Sequence, residues 1–66
     1  MDNEQRKAEL ERKFNLQLEQ AGVSIRYKIK TNGVQKVFIG YPMVMTLDEV
    51  EEYIPQIDLA FPDWRE

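Results

Sequence analysis

The sequence predicts a small two-layer α+β unit of order helix, strand, strand, helix, with both helices packed on the apolar face of an antiparallel β-hairpin. Three observations lead there. From Val23 to Lys30, β-branched or aromatic residues alternate with polar or basic ones, the pattern of a strand with one buried face. Asn32-Gly33 supplies a tight-turn signal directly after that run. On either side lie helix-start signals, one at Asp2 and one at Thr46. The chain is expected to form one domain over 1–66, with a helix over about 3–21, the hairpin over about 23–41, and a capped helix over about 47–54 followed by a Pro-interrupted tail.

The first helix is argued from its cap, its composition and its stripe. Asp2 is placed to cap it, with Gln5 three residues on. Strong helix formers dominate as far as Ala21, and Leu10, Phe14, Leu18 and Ala21 recur at helical spacing. Gly22 then stands where a left-handed C-terminal cap belongs. A rival reading takes Phe14, Leu16 and Leu18 as a third strand of a meander, at the cost of leaving Gly22 without that role.

The hairpin admits two registers. A two-residue type I′ turn at Asn32-Gly33 sets Ile29 opposite Lys36 and Tyr27 opposite Phe38, which divides the apolar run Val37-Phe38-Ile39 between both faces. A three-residue turn, Thr31-Asn32-Gly33, instead gathers Val23, Ile25, Tyr27, Ile29, Val37, Ile39 and Tyr41 on one face. It leaves Arg26, Lys28, Lys30, Lys36 and Phe38 on the other, and is the expected register. Phe38 is the residue that tests it: exposed among lysines if correct, buried if not.

Pro42 ends the second strand because it has no N–H for a ladder. Thr46-Leu47-Asp48-Glu49 is a capping box, and Met45 and Val50 are spaced as a hydrophobic staple, so the second helix should begin at Leu47. Leu47, Val50, Ile54 and Ile57 share one side of it. Pro55 should kink it, or start a fresh turn running to about Ala60.

Composition narrows the chemistry. With no cysteine and no histidine among 66 residues, disulfides, thiolate chemistry and the usual zinc ligands are excluded together. No glycine-rich phosphate loop and no paired nucleophile and base are present, so an enzyme is not expected, and no cofactor or metal is assigned. No apolar run approaches a membrane span and the first residues are charged rather than signal-like, which points to a cytoplasmic protein without a membrane partner.

The net charge of −3 conceals segregation. Residues 1–21 carry five acids and four bases, 22–46 four bases and no acid, and 47–66 seven acids against Arg65 alone. Packed as expected, the basic hairpin face and the acidic helix face would point apart and could not neutralise one another. The candidate binding residues follow: Arg26, Lys28, Lys30 and Lys36 around Phe38 on the hairpin; Asp48, Glu51 and Glu52 on the helix; and Tyr53, Phe61 and Trp64 from an apolar surplus near the C-terminal end. Each set has a plainer reading as solvated face, edge protection or core cover. The expected function is a protein-interaction module that inhibits or modulates a larger protein, whether cellular or virus-encoded. The alternatives are a nucleic-acid-binding module using the basic hairpin face and a structural homodimer joined through hairpin edges.

Overall fold

The alternating run does form a strand, and that strand lies at the centre of a larger sheet than a hairpin. The computed structural model describes residues 2–66. In chain order the elements are α1 (Asn3–Phe14), β1 (Gln17–Gln20), β2 (Tyr27–Thr31), β3 (Val34–Gln35), β4 (Val44–Met45) and α2 (Leu47–Ala60). All strand pairings are antiparallel: β1 pairs with β2, and β3 and β4 also pair with β2. The α+β class, with two helices on an antiparallel sheet, stands, and two further strands complete it.

The first helix is shorter than expected. Asp2 caps it, accepting a hydrogen bond from the Gln5 N–H at 2.8 Å, but it stops at Phe14 because Asn15 turns left-handed at φ 54°. Asn tolerates that region better than other residues with a side chain. Beyond it Leu16 and Leu18 are buried while Gln17 and Glu19 are exposed, so the period changes from helix to strand. The meander reading is thus the one realised, except that Phe14 closes the helix. Gly22, at φ 64°, serves the β1–β2 connection instead of a helix cap, with Ala21 N–H donating to the Arg26 carbonyl at 2.9 Å. Val23 and Ile25 lie in this connection, outside β2, and are exposed.

The hairpin register is also corrected. Thr31 pairs with Val34 and Lys30 with Gln35, and Lys36 N–H donates to the Ile29 carbonyl at 2.8 Å. The loop is therefore Asn32-Gly33 alone, with positive φ at both residues (52° and 78°), as a type I′ turn requires. This turn matches the natural twist of the strands, and it outweighs gathering apolar residues on one face. The chain resolves the conflict by leaving the sheet after Gln35 and rejoining it at Val44, where Val44 and Met45 pair with Lys28 and Tyr27. Phe38 stays on the core side and is buried, whereas Val37 and Ile39 face solvent.

One core joins the layers. Tyr27, Ile29 and Thr31 project from β2, joined by Leu16 and Leu18, Leu10 and Phe14 of α1, and the Leu47, Val50, Ile54 and Ile57 side of α2. The capping box at Thr46 forms in full, with Glu49 N–H donating to Thr46 Oγ1 and Thr46 N–H to Glu49 Oε1. Pro55 does not end α2, which runs unbroken to Ala60 with the proline exposed. A helix-interior proline costs about 3 kcal/mol. Ile54 and Ile57 on either side are fully buried, each contributing about 2–3 kcal/mol, enough to hold the helix through that position.

The sheet edges are short or closed. Leu16 N–H donates to the Glu11 carbonyl at 3.2 Å and Leu18 N–H to Glu11 Oε2 at 2.9 Å, so α1 covers the first part of the outer edge of β1. On the opposite side, β3 and β4 are two-residue pieces separated by the excursion.

Two outcomes are expected. Ile54→Ala should cost about 2–4 kcal/mol in urea unfolding, a large share of what a domain of this size possesses. Thr31 Oγ1 is buried without a hydrogen-bond partner, so Thr31→Val should raise stability by about 1 kcal/mol in the same assay.

Candidate functional site

Two turns of the chain build the most distinctive surface. The excursion over residues 36–43 is bent by a hydrogen bond from Tyr41 N–H to the Phe38 carbonyl at 3.1 Å, with Gly40 at φ 91°. It lies beside the tail that follows α2, and Phe38 links the two: its ring is 5.8 Å from Phe61 and 5.3 Å from Trp64, the latter edge-on at 90°. Between excursion and tail is an open groove of about 470 Å³, walled by Val37, Phe38, Phe61, Pro62 and Trp64. Lys36, Asp63 and Glu66 form its rim.

The tail is held by Arg65. Its guanidinium lies 4.2 Å from the Trp64 ring, contacts Asp58 Oδ1 at 2.6 Å, and donates from Nε to the Phe14 carbonyl at 3.0 Å. That last bond satisfies a carbonyl which the end of α1 leaves open. Asp58 also accepts from the Trp64 indole N–H at 2.8 Å. Burial pushes the Asp58 carboxyl up, but the Trp64 and Arg65 hydrogen bonds and the Arg65 charge outweigh it and hold the group below its ordinary value.

The segregated charges of the sequence are largely paired in space, one pair joining the two blocks directly and the others using the balanced first segment. Arg6 of α1 reaches Asp48 at 2.6 Å and Glu51 at 3.2 Å, and Arg26 reaches Glu49 at 3.0 Å. Lys30 meets Glu19 of β1 at 2.7 Å, and this hydrogen bond and charge, aided by Lys28, lower the Glu19 carboxyl against its modest desolvation. The expectation that the two signs could not neutralise each other is overturned. It fails at Arg26–Glu49, the one pair that joins hairpin and helix directly among the described residues; the other charges are met by an acid on β1 and an arginine on α1. Lys28 and Glu52 make no ion pair within 4.0 Å among the described residues.

Of the residues singled out from sequence, Lys36, Phe38, Phe61 and Trp64 converge on the groove. Phe38 is not the exposed aromatic expected among lysines, because the two-residue turn carries it inward. Tyr53 is half-buried, its ring 5.4 Å from that of Tyr41, whose hydroxyl donates to Gln56 Oε1. Arg26, Lys28, Lys30, Asp48, Glu51 and Glu52 lie away from the groove lining. Sequence reasoning missed the exposure of Val37 and Ile39 and the Asp58–Trp64–Arg65 cluster. Asn32-Gly33, the strongest short hairpin signal, carried the first; the second had no sequence signal beyond an arginine adjoining a tryptophan.

Among the described residues, no group of three or more acidic side chains is placed to hold a metal ion, and no helix is long and apolar enough to cross a membrane. Comparison with protein-family models, curated proteins and solved structures finds no match to the chain.

The Asp58 cluster generates a pH prediction. A carboxyl that titrates lower in the folded than in the unfolded chain adds stability above the ordinary aspartate value of 3.8. That contribution disappears as pH falls from there through the folded value. Urea unfolding followed by Trp64 fluorescence should show this loss below about pH 4, and Asp58→Asn should flatten that part of the profile.

Proposed function

We propose that the chain is a non-enzymatic interaction module that binds a larger protein, as an inhibitor or modulator, through the excursion and the groove beside it. One observation carries this reading: Val37, Ile39 and Met43 are 56%, 91% and 61% exposed on one short loop. A lone exposed apolar residue is ordinary. Three on one loop, next to a groove with aromatic walls, give the central anchor of a protein interface more readily than they give a solvent-facing connection. The same loop already contributes Phe38 to the core. Its position is therefore fixed, and little conformational freedom would be lost on docking.

The hairpin lysines support a nucleic-acid reading less well. Glu19 bridges Lys30, and a net charge of −3 repels phosphate. Edge-to-edge dimers find little support either, since Glu11 covers part of the β1 edge and β3 and β4 are two residues each.

Ile39→Asp is the direct test, because the side chain is solvent-exposed and its loss should leave the urea midpoint unchanged. Immobilised wild-type protein should retain a stoichiometric partner from a lysate of its source cells. The variant should bind that partner about 2 kcal/mol more weakly. Equal binding by both forms, or the absence of any stoichiometric partner, overturns the proposal.

A further inference from the structure

We infer that the groove takes an apolar side chain from a partner segment that carries arginine or lysine beside it. This rests on the interaction reading above and adds the partner's chemistry. The apolar half follows from the walls: Val37, Phe38, Phe61, Pro62 and Trp64 line an open depression of about 470 Å³, broad enough for one large side chain to lie against them.

The basic half follows from the state of each charge at the rim. Lys36 is the rim's cation, and its Nζ donates to the Glu66 backbone carbonyl at 3.0 Å. Arg65, which lies between Asp63 and Glu66 in sequence, is turned inward onto Asp58 and the Phe14 carbonyl. The Asp63 and Glu66 carboxylates are left exposed, with no cation within 4.0 Å among the described residues. A rim with its cations engaged and two carboxylates open presents net negative charge at the groove mouth. The chain's overall −3 extends that preference to longer range. A basic residue next to the inserted side chain would meet those carboxylates; an acidic one would be repelled.

The probes are labelled octapeptides with a central Leu or Phe flanked by two arginines, and matched peptides with glutamate in place of arginine. Fluorescence anisotropy measures affinity, and the indole N–H resonance of Trp64, the only tryptophan, reports occupancy of the groove. The arginine peptides should shift that resonance and bind roughly tenfold more tightly than the glutamate set at low salt. The double variant Asp63→Lys, Glu66→Lys alters only exposed side chains, and should erase or reverse the preference while the unliganded Trp64 resonance stays in place. Equal binding of both peptide sets overturns the charge assignment and leaves the interaction proposal to the Ile39→Asp experiment. A groove that no peptide perturbs, or one whose resonance shifts with protein concentration alone because a second copy fills it, overturns the inference.

Discussion

A two-residue turn at Asn32-Gly33 decides on which side of the sheet each following residue emerges. With Thr31 held opposite Val34, pairing ends at Gln35, and the chain beyond it buries Phe38 while its neighbours Val37 and Ile39 face solvent. A continued strand would present both neighbours on an open sheet face. The chain instead leaves β2, closes a turn around Gly40, and returns at Val44 in time for Met45 to face the core. The apolar loop, the groove and the interrupted edge are all consequences of that one register.

The helices anchor this arrangement from different kinds of information. The entry to α2 is set by neighbours in sequence: Thr46 and Glu49 exchange hydrogen bonds, and Met45 and Val50 are both fully buried. The exit of α1, made at the left-handed Asn15, is secured by a residue far away, since Arg65 supplies a donor to the Phe14 carbonyl while stacking on Trp64. Guanidinium suits this position because its planar fork serves a carbonyl, a carboxylate and an aromatic face together. Lysine has no equivalent geometry.

What could be read in advance divides along the same line. The start and buried side of α2 were legible because caps and helical periodicity are local. The boundary between α1 and β1 was not. Leu18 is four residues from Phe14 and two from Leu16, so it satisfies both periods, and Gly22 suits both a helix cap and a strand connection. The left-handed Asn15 decides the matter, and an asparagine amid helix formers is a weak signal. In the candidate site, the aromatic surplus of Phe61 and Trp64 was visible by composition, while the role of Phe38 depended on register. The charge layout was visible as blocks along the chain, but its pairing was not. Arg6 meets Glu51 and Arg26 meets Glu49 only after the helices and sheet have packed.

The span of the Arg65–Phe14 contact bears on how the groove is held to the rest of the fold. These residues stand 51 positions apart, whereas β2 finds its sheet partners much nearer in the chain. Short loops close at lower entropic cost, so the clasp of the tail onto α1 is the more costly closure of the two. Arg65 thus ties the tail wall of the groove to the end of α1 across most of the chain, so that releasing the tail would also uncover the Phe14 carbonyl.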